Sequence, residues 1–268
     1  MCGRFAVTTD PKLLAEKIQA IDEATSAQKN GGGPNYNVAP TTTISAVVRR
    51  HTDPDDDPTR RVRLMRWGLV PPWVKAGPDG APDGKGPLLI NARAEKVTTS
   101  PAFRSSAKSK RCLVAMDGWY EWRRPLDSEG ETSAGKKAPK TPFYMYAGDG
   151  ELLFTAGLWS TWRPKDASSD SRPLSLPPLP LLSCTIITTD AAGPLAEIHD
   201  RMPLTISEND WDRWLDPDAT IDEGLLRGHG DLDRIEIREV STLVNNVRNN
   251  GPELIEPAEP HGRQATLL

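Results

Sequence analysis

A cysteine directly behind the initiator methionine, in Met1-Cys2-Gly3-Arg4-Phe5, carries chemistry that no internal cysteine has. If Met1 is removed, Cys2 becomes the first residue and its free α-amine sits two carbons from its own thiol. An α-amine titrates at roughly 7.7–8.0 and a thiol at about 8.5, so both are partly nucleophilic near neutrality. With an aldehyde, a 1,2-aminothiol first forms a Schiff base through the amine; the thiol then closes it to a five-membered thiazolidine. The same residue could instead attack an amide, with the amine as base for the thiol.

Three further segments place catalytic-type side chains two residues apart. In "LLINARAEK", Asn91 and Arg93 share one face of any extended backbone. In "AMDGWYEW", Trp119 and Glu121 share one face, and Tyr120 and Trp122 the other. In "AEIHDRMP", His199 and Arg201 repeat the spacing, and Pro203 favours extended structure before it. A carboxyl among tryptophans is raised in pKa by desolvation and becomes a usable proton donor. A histidine near neutrality relays protons, and asparagine with arginine can hold an oxygen anion. Plainer readings stand beside these: a surface carboxylate, a structural histidine and a turn asparagine. "YNVAP" (residues 36–40) and "RWGLVPPW" (residues 66–73) put proline and tryptophan beside arginines. Wedges and platforms of that kind separate or stack on bases, although tryptophans also fill cores.

The rest of the chain bounds what these residues can belong to. At 268 residues it has room for one large or two small domains. No run of 18 apolar residues and no basic-then-apolar leader is present, which predicts neither a membrane span nor a signal peptide. Cys112 and Cys184 lie in apolar β-type runs, where a buried, inert thiol is usual. No paired-cysteine or spaced-histidine pattern suggests a metal, so no metal and no cofactor is expected, and a reducing, intracellular compartment fits best. The net charge of −4 is split: residues 1–124 carry 20 Lys+Arg against 13 Asp+Glu, and residues 125–268 carry 13 against 24. In the first part, arginine outnumbers lysine 12 to 8. A basic face on an acidic protein is compatible with a nucleic-acid footprint.

The elements that must position these groups are mostly strands. Strand-like runs cover residues 43–49, 61–67, 111–116, 143–146, 152–158, 181–189 and 235–240. Asp10-Pro11 predicts a helix over 12–21, Ser100-Pro101 starts a short one, and Ser207 with Asp210 resembles a capping box before residues 211–215. Residues 25–34, 52–59, 76–87, 126–142 and 163–180 read as loops or insertions, the last of them disordered, and the chain after about Asn250 reads as a tail. Few long helices between strands argue against a parallel βαβ sheet. The expected fold is α+β, a single domain on a mostly antiparallel, barrel-like sheet with short helices.

The order of the motifs is more specific than any one of them. MCGRF, NVAP, WGLVPPW, INARAE, AFR, DGWYEW, TPFYMY, AGLW, TIITTDA, IHDRMP and VNNVRNNGPELIEP follow one another as in the SOS-response-associated-peptidase (SRAP) family of abasic-site-processing proteins. The chain resembles that family from Cys2 to about Pro257, interrupted only at the insertions. The resemblance implies one SRAP domain over residues 1–257, a tail over 258–268, and a monomer that binds single-stranded DNA. It also implies a covalent crosslink to the ring-opened aldehyde of an abasic site. The family's catalytic positions fall on Cys2, Asn91, Glu121 and His199. Its DNA-contacting arginines fall on Arg4, Arg93, Arg104 and Arg201, with Pro40 and Trp67 as a stacking or wedge pair. The resemblance further implies a cytoplasmic protein, at the nucleoid if bacterial or nuclear if eukaryotic, and self-cleavage as one route to losing Met1. Lys96 departs from the threonine often found after NARAE, and the insertions at 76–87, 126–142 and 163–180 bear on strand preference.

Two rival classes fit parts of the pattern. Glutamine amidotransferases that use an N-terminal nucleophile also begin Met-Cys-Gly, but their Asn-Gly and Ser-Asp-Thr-Glu type substrate motifs are missing here. A non-catalytic single-strand-binding module has no need of a cysteine at position 2.

Overall fold

The structure, a computed structural model, describes residues 2–27, 33–124, 140–164, 180–228, 230 and 232–258. In chain order the elements are β1 (Phe5–Val7), α1 (Pro11–Lys17), β2 (Ile21–Asp22), β3 (Asn35–Val38), β4 (Thr43–Arg50), β5 (Thr59–Trp67) and β6 (Asn91–Arg93). They continue with α2 (Arg104–Ser109), β7 (Arg111–Met116), β8 (Gly118–Arg123), β9 (Thr141–Ala147), β10 (Leu153–Trp162) and β11 (Leu181–Asp190). The last are β12 (Arg201–Pro203), α3 (Trp211–Leu215), α4 (Glu223–Arg227) and β13 (Ile235–Glu239).

Each predicted strand is present, several a residue or two longer. β10, β7, β4 and β5 pair antiparallel in that order, β11 pairs antiparallel with β10, and β11 also runs parallel to β5, with Ser183 opposite Arg66 and Cys184 opposite Trp67. That last pairing closes a five-stranded barrel. A second, five-stranded sheet is ordered β13-β9-β8-β1-β3. The chain is α+β, and its barrel is mostly antiparallel, as expected from the sequence.

Alternation along the barrel strands explains the core. Ile44, Ala46 and Val48 of β4, Met65 and Trp67 of β5, Cys112, Val114 and Met116 of β7, and Cys184 and Ile186 of β11 meet in one buried cluster. Residues of the opposite parity, such as Val47, Val62, Leu113 and Ile187, pack instead with Leu14, Phe103, Trp211 and Trp214 from the helical segments. Gly157 permits this packing: a Cβ there would stand 2.8 Å from the Cys112 Sγ and 2.8 Å from the Thr185 carbonyl. Cys112 and Cys184 are fully buried, and burial pushes the Cys184 thiol up to about 12 and the Cys112 thiol well above its ordinary value. Both remain thiols at neutral pH.

Several expectations need correcting. The first helix is capped by the Asp10 carboxylate, which accepts from the N–H groups of Lys12 and Leu13, but it ends at Lys17 rather than residue 21. Gln19 turns left-handed at φ 53°, and Ile21–Asp22 leaves to pair with β5. The helix after Ser100-Pro101 begins only at Arg104, where Ser100's carbonyl receives two N–H groups. Ser207 does not cap through its side chain; its hydroxyl is 3.3 Å from the Asp210 carboxylate. Of the insertions, residues 76–87 form a turn closed by an Ala76–Pro82 bridge, and Thr141 and Pro142 belong to β9. Residues 125–139 and 165–179, most of two insertions, and 259–268 lie outside the described residues, but the chain just after Asn250 is no tail: Pro252–Leu254 forms a 3-10 turn with Leu254 fully buried, and Pro257 bridges to Val240.

One arginine joins the helical side to the barrel. Arg111, 3% exposed at the start of β7, donates to the carbonyls of Ala107, Lys108, Trp214, Asp216 and Ala219. The first four are carbonyls at the ends of α2 and α3, which no helical N–H reaches, and the fifth lies on the loop beyond α3. Arg111→Leu strands them in a buried place and is expected to cost about 2–4 kcal/mol. Urea melts should show the loss as a lower midpoint with an unchanged slope.

Candidate active site at the N-terminal cysteine

Cys2 is fully buried in the cluster that also holds Phe5, Trp67, Trp119 and Ile186. Its place is fixed from two sides. β1 follows it between β3 and β8. β6 lies parallel to β11 with Asn91 opposite Ile186, and the Asn91 Nδ2 donates to the Cys2 carbonyl at 2.7 Å. Among the described residues the Asn91 Oδ1 and the Trp119 Nε1 are buried without a hydrogen-bond partner. Burial, and then the charge of Glu121, raise the Cys2 thiol far above its ordinary value.

Glu121 is 3% exposed on β8. Its strand alternates as the sequence predicts: Trp119 joins the cluster of Cys2, whereas Tyr120 and Trp122 pack on the other side with Tyr144 and Tyr36. Burial raises the Glu121 carboxyl, with the charge of Asp200 adding to the effect. Asp200 brings its neighbour His199 into the same field. Glu121 thus acts electrically on Cys2, and Asp200 acts on both Glu121 and His199.

His199 is not on a strand face shared with Arg201. A 3-10 turn over Gly193–Glu197 precedes it, and β12 begins only at Arg201. The His199 Nδ1 accepts the N–H of Arg201 at 3.0 Å and lies 2.7 Å from an Asp200 carboxylate oxygen. The ring nitrogen cannot satisfy both at once, since one bond needs it bare and the other protonated. Burial lowers the His199 pKa below its ordinary value, with Asp200 opposing. Burial therefore favours the neutral ring, whose Nδ1 either accepts from Arg201 or donates to Asp200.

The arginines divide into two kinds. Arg93, at the end of β6, and Arg104, at the start of α2, are exposed. Arg201 is 6% exposed and braced by Glu95, Asp190 and the Thr188 carbonyl, so its guanidinium is not presented to a phosphate. Arg4 is half-buried; it donates to Asn37 and to the Val244 carbonyl and lies over the Trp122 ring. Asn37 also donates to the carbonyls of Val244, Asn246 and Asn249. Most of the VNNVRNN motif is thereby fastened to β3, which β1 separates from the strand that carries Glu121.

Trp67 also needs correcting. It is fully buried, meets Phe5 edge-on at 5.0 Å and donates to the Ile90 carbonyl. A ring enclosed in this way offers no face to a base. Pro40 is partly exposed on a turn that Thr41, at φ 75°, fastens to the Trp67 carbonyl. The exposed tryptophan of that region is Trp73, 53% accessible, on the loop that Gly68 opens at φ 118°. The sequence gives no signal for which of the two rings is outside. No three His, Cys, Asp or Glu side chains converge as a metal site among the described residues, and none of their helices is long and apolar enough to cross a membrane.

The fold is a closed α+β barrel that buries both Cys2 and the Glu121 carboxyl. The chain belongs to the SOS response associated peptidase (SRAP) family, whose sequence profile matches residues 1–247. It is similar to the abasic site processing protein YoqW of Bacillus subtilis, with 34% identity covering 96% of this chain and 99% of that one. It is similar also to the abasic site processing protein HMCES of Xenopus tropicalis, with 30% identity covering 94% of this chain and 77% of that one. A crystal structure of a protein from Bacteroides thetaiotaomicron shares the fold, with a TM-score of 0.74 and 22% identity over 96% of this chain and 100% of that one.

Proposed function

We propose that this protein captures abasic sites in single-stranded DNA through Cys2, after Met1 has been removed. The observation that carries the reading is the pairing of Cys2, held by Asn91, with a buried carboxyl whose pKa is raised, in a chain whose relatives are named for abasic-site processing. The Cys2 amine adds to the C1′ aldehyde of the opened deoxyribose to give a carbinolamine. Loss of its hydroxyl as water leaves an imine, and Glu121, protonated, delivers the proton that makes hydroxyl a leaving group. The Cys2 sulfur then adds to the imine carbon while the thiol proton passes to nitrogen. Aminothiol and aldehyde thus become thiazolidine and one water, with no redox change.

His199, its pKa lowered by burial, is assigned to the sugar oxygen during ring opening and reversal. Asn91 positions the amine and the intermediate. For the DNA strand, exposed Arg93 and Arg104 contact phosphates and Pro40 lies at the wedge. Trp73 takes the stacking place that Trp67 cannot, and Arg4 and Arg201 shape the rim through their neighbours.

The test is incubation with abasic single-stranded DNA followed by a denaturing gel. A covalent band supports capture. Glutamine hydrolysis without a band supports an amidohydrolase, and reversible binding alone supports a non-catalytic module. Asn91→Ala is expected to slow adduct formation about 10–100-fold by misplacing the amine, with the dissociation constant for intact DNA unchanged. A variant that crosslinks at the full rate removes Asn91 from the mechanism. Arg93→Ala and Arg104→Ala should each flatten the salt dependence of binding by about 0.7 in log–log slope.

A further inference from the structure

The end of the barrel away from Cys2 is built differently. β4 and β5 pair with Thr43 opposite Arg66 at the Cys2 end and Arg50 opposite Thr59 at the other. Going back along β5 from Trp67 to Arg61 covers about 20 Å. On this stretch the residues that share the inward parity change character: Trp67 and Met65 give way to Arg63 and Arg61, and on β4 Ala46 and Val48 give way to Arg50. The apolar filling of the barrel thus ends in three guanidinium groups.

They line a cavity of about 200 Å³ together with Glu23, His51 and Thr52. One carboxylate serves two of the three: Glu23 accepts from Arg61 and, at 2.9 Å, from the Arg63 Nε. Arg50 makes no ion pair among the described residues; its guanidinium lies over the Trp159 ring at 5.5 Å, and the Lys110 ammonium lies over the same ring at 5.3 Å. Burial lowers the proton affinity of Arg63 and Lys110, and Arg50 lowers both further by repulsion. The Thr52 hydroxyl accepts from Arg61 and keeps its own proton to donate.

We propose that this end of the barrel binds a single phosphate group, either inorganic phosphate or the phosphate of a nucleoside monophosphate. Arginine forks match the oxygens of a phosphate in pairs, and a dianion offsets the surplus positive charge. The cavity is smaller than the roughly 300–1,000 Å³ of sites for larger ligands. A nucleic-acid strand is disfavoured by the hairpin between β4 and β5, which carries Asp53, Asp55, Asp56 and Asp57. His51 ties that hairpin to acidic Asp218 through bonds to the Asp56 carbonyl and the Asp218 carboxylate. The acidic rim admits a compact anion and repels a polyanion. The proposal stands independently of the DNA reading, because the site lies at the opposite end of the barrel.

The test is thermal unfolding of the full chain with Met1 removed, titrated with inorganic phosphate or deoxyadenosine monophosphate against sodium chloride at equal ionic strength. A saturable rise in Tm of about 3–6 °C at ten times Kd is expected. Arg50→Gln, an exposed position, should weaken binding about 10–100-fold, and Arg50→Lys should restore part of it. Neither should change adduct formation with abasic DNA. Tighter binding of the nucleotide than of phosphate assigns the source to a nucleotide, and equal binding assigns it to free phosphate. A rise that never saturates, or one equal in Arg50→Gln, is general salt stabilisation and overturns the proposal. Displacement of phosphate by an intact 25-mer single strand overturns it in favour of a nucleic acid.

Discussion

Cys2→Ala is expected to abolish the gel-stable adduct with abasic single-stranded DNA while leaving the affinity for intact DNA within about twofold. The alanine amine could still form an imine, but nothing closes it, and imines hydrolyse. Cys2→Ser should give a Schiff base that borohydride traps and no adduct without it. Burial holds the Cys2 thiol well above its usual pKa, so the amine leads and the sulfur follows as S–H. Alkylating agents that need a thiolate should therefore react slowly with the free protein. A chain engineered to retain Met1 has its Cys2 nitrogen tied up in an amide and should form no adduct. A full-yield band from that protein would sink the mechanism.

Glu121→Gln should slow adduct formation by about 10²–10⁴-fold with DNA affinity intact, the usual worth of a positioned general acid. The sign of the pH dependence follows from the direction of the shift. A carboxyl raised by burial keeps its proton above the ordinary carboxylate range, so the acid-catalysed rate should fall as pH rises through the raised pKa. The glutamine variant should lose that fall. The same shift acts on stability: the folded state binds the proton more tightly than the unfolded chain does. Stability from this group is full below the unfolded carboxyl pKa, near 4.3, and declines as pH climbs toward the folded value. Glu121→Gln removes that decline, and its Tm at pH 8 should be no lower than the parent's. A variant that crosslinks normally from pH 5 to 8 would make the carboxyl structural.

The barrel strands were legible because β4, β5, β7 and β11 carry apolar or β-branched residues that mark a strand wherever it pairs. β1, β3 and β12, three or four residues each, are too short to show a period. Faces read from spacing held where a strand ran through both residues, as at Trp119 and Glu121. They failed at His199, where the Gly193-Pro194 turn precedes the strand. What spacing could not show was who pairs with whom. Arg201 looks free in IHDRMP, yet its partners Glu95 and Asp190 arrive from 106 and 11 residues away. Trp67 and Trp73 sit six apart in one motif, and only the closure of the barrel decides that the first is inside. The cationic end of the barrel escaped for the same reason: Arg50, Arg61 and Glu23 come together only through the register of β4 with β5 and of β2 beside it.

The pairing of β5 with β11 has a consequence for synthesis. It joins Ser183 to Arg66, and Asn91 is likewise held by its place opposite Ile186. A chain leaving the ribosome at roughly 5–20 residues per second therefore shows its first residue to the cell well before it can seat it. In that interval the Cys2 thiol is exposed to any aldehyde or oxidant, and the Met1–Cys2 bond is open to an aminopeptidase. The barrel cannot shut until β11 has emerged, and contacts of such long range form late. On the proposed reading, an aminopeptidase would have easy access before closure, whereas capture of an abasic site would wait until it is complete.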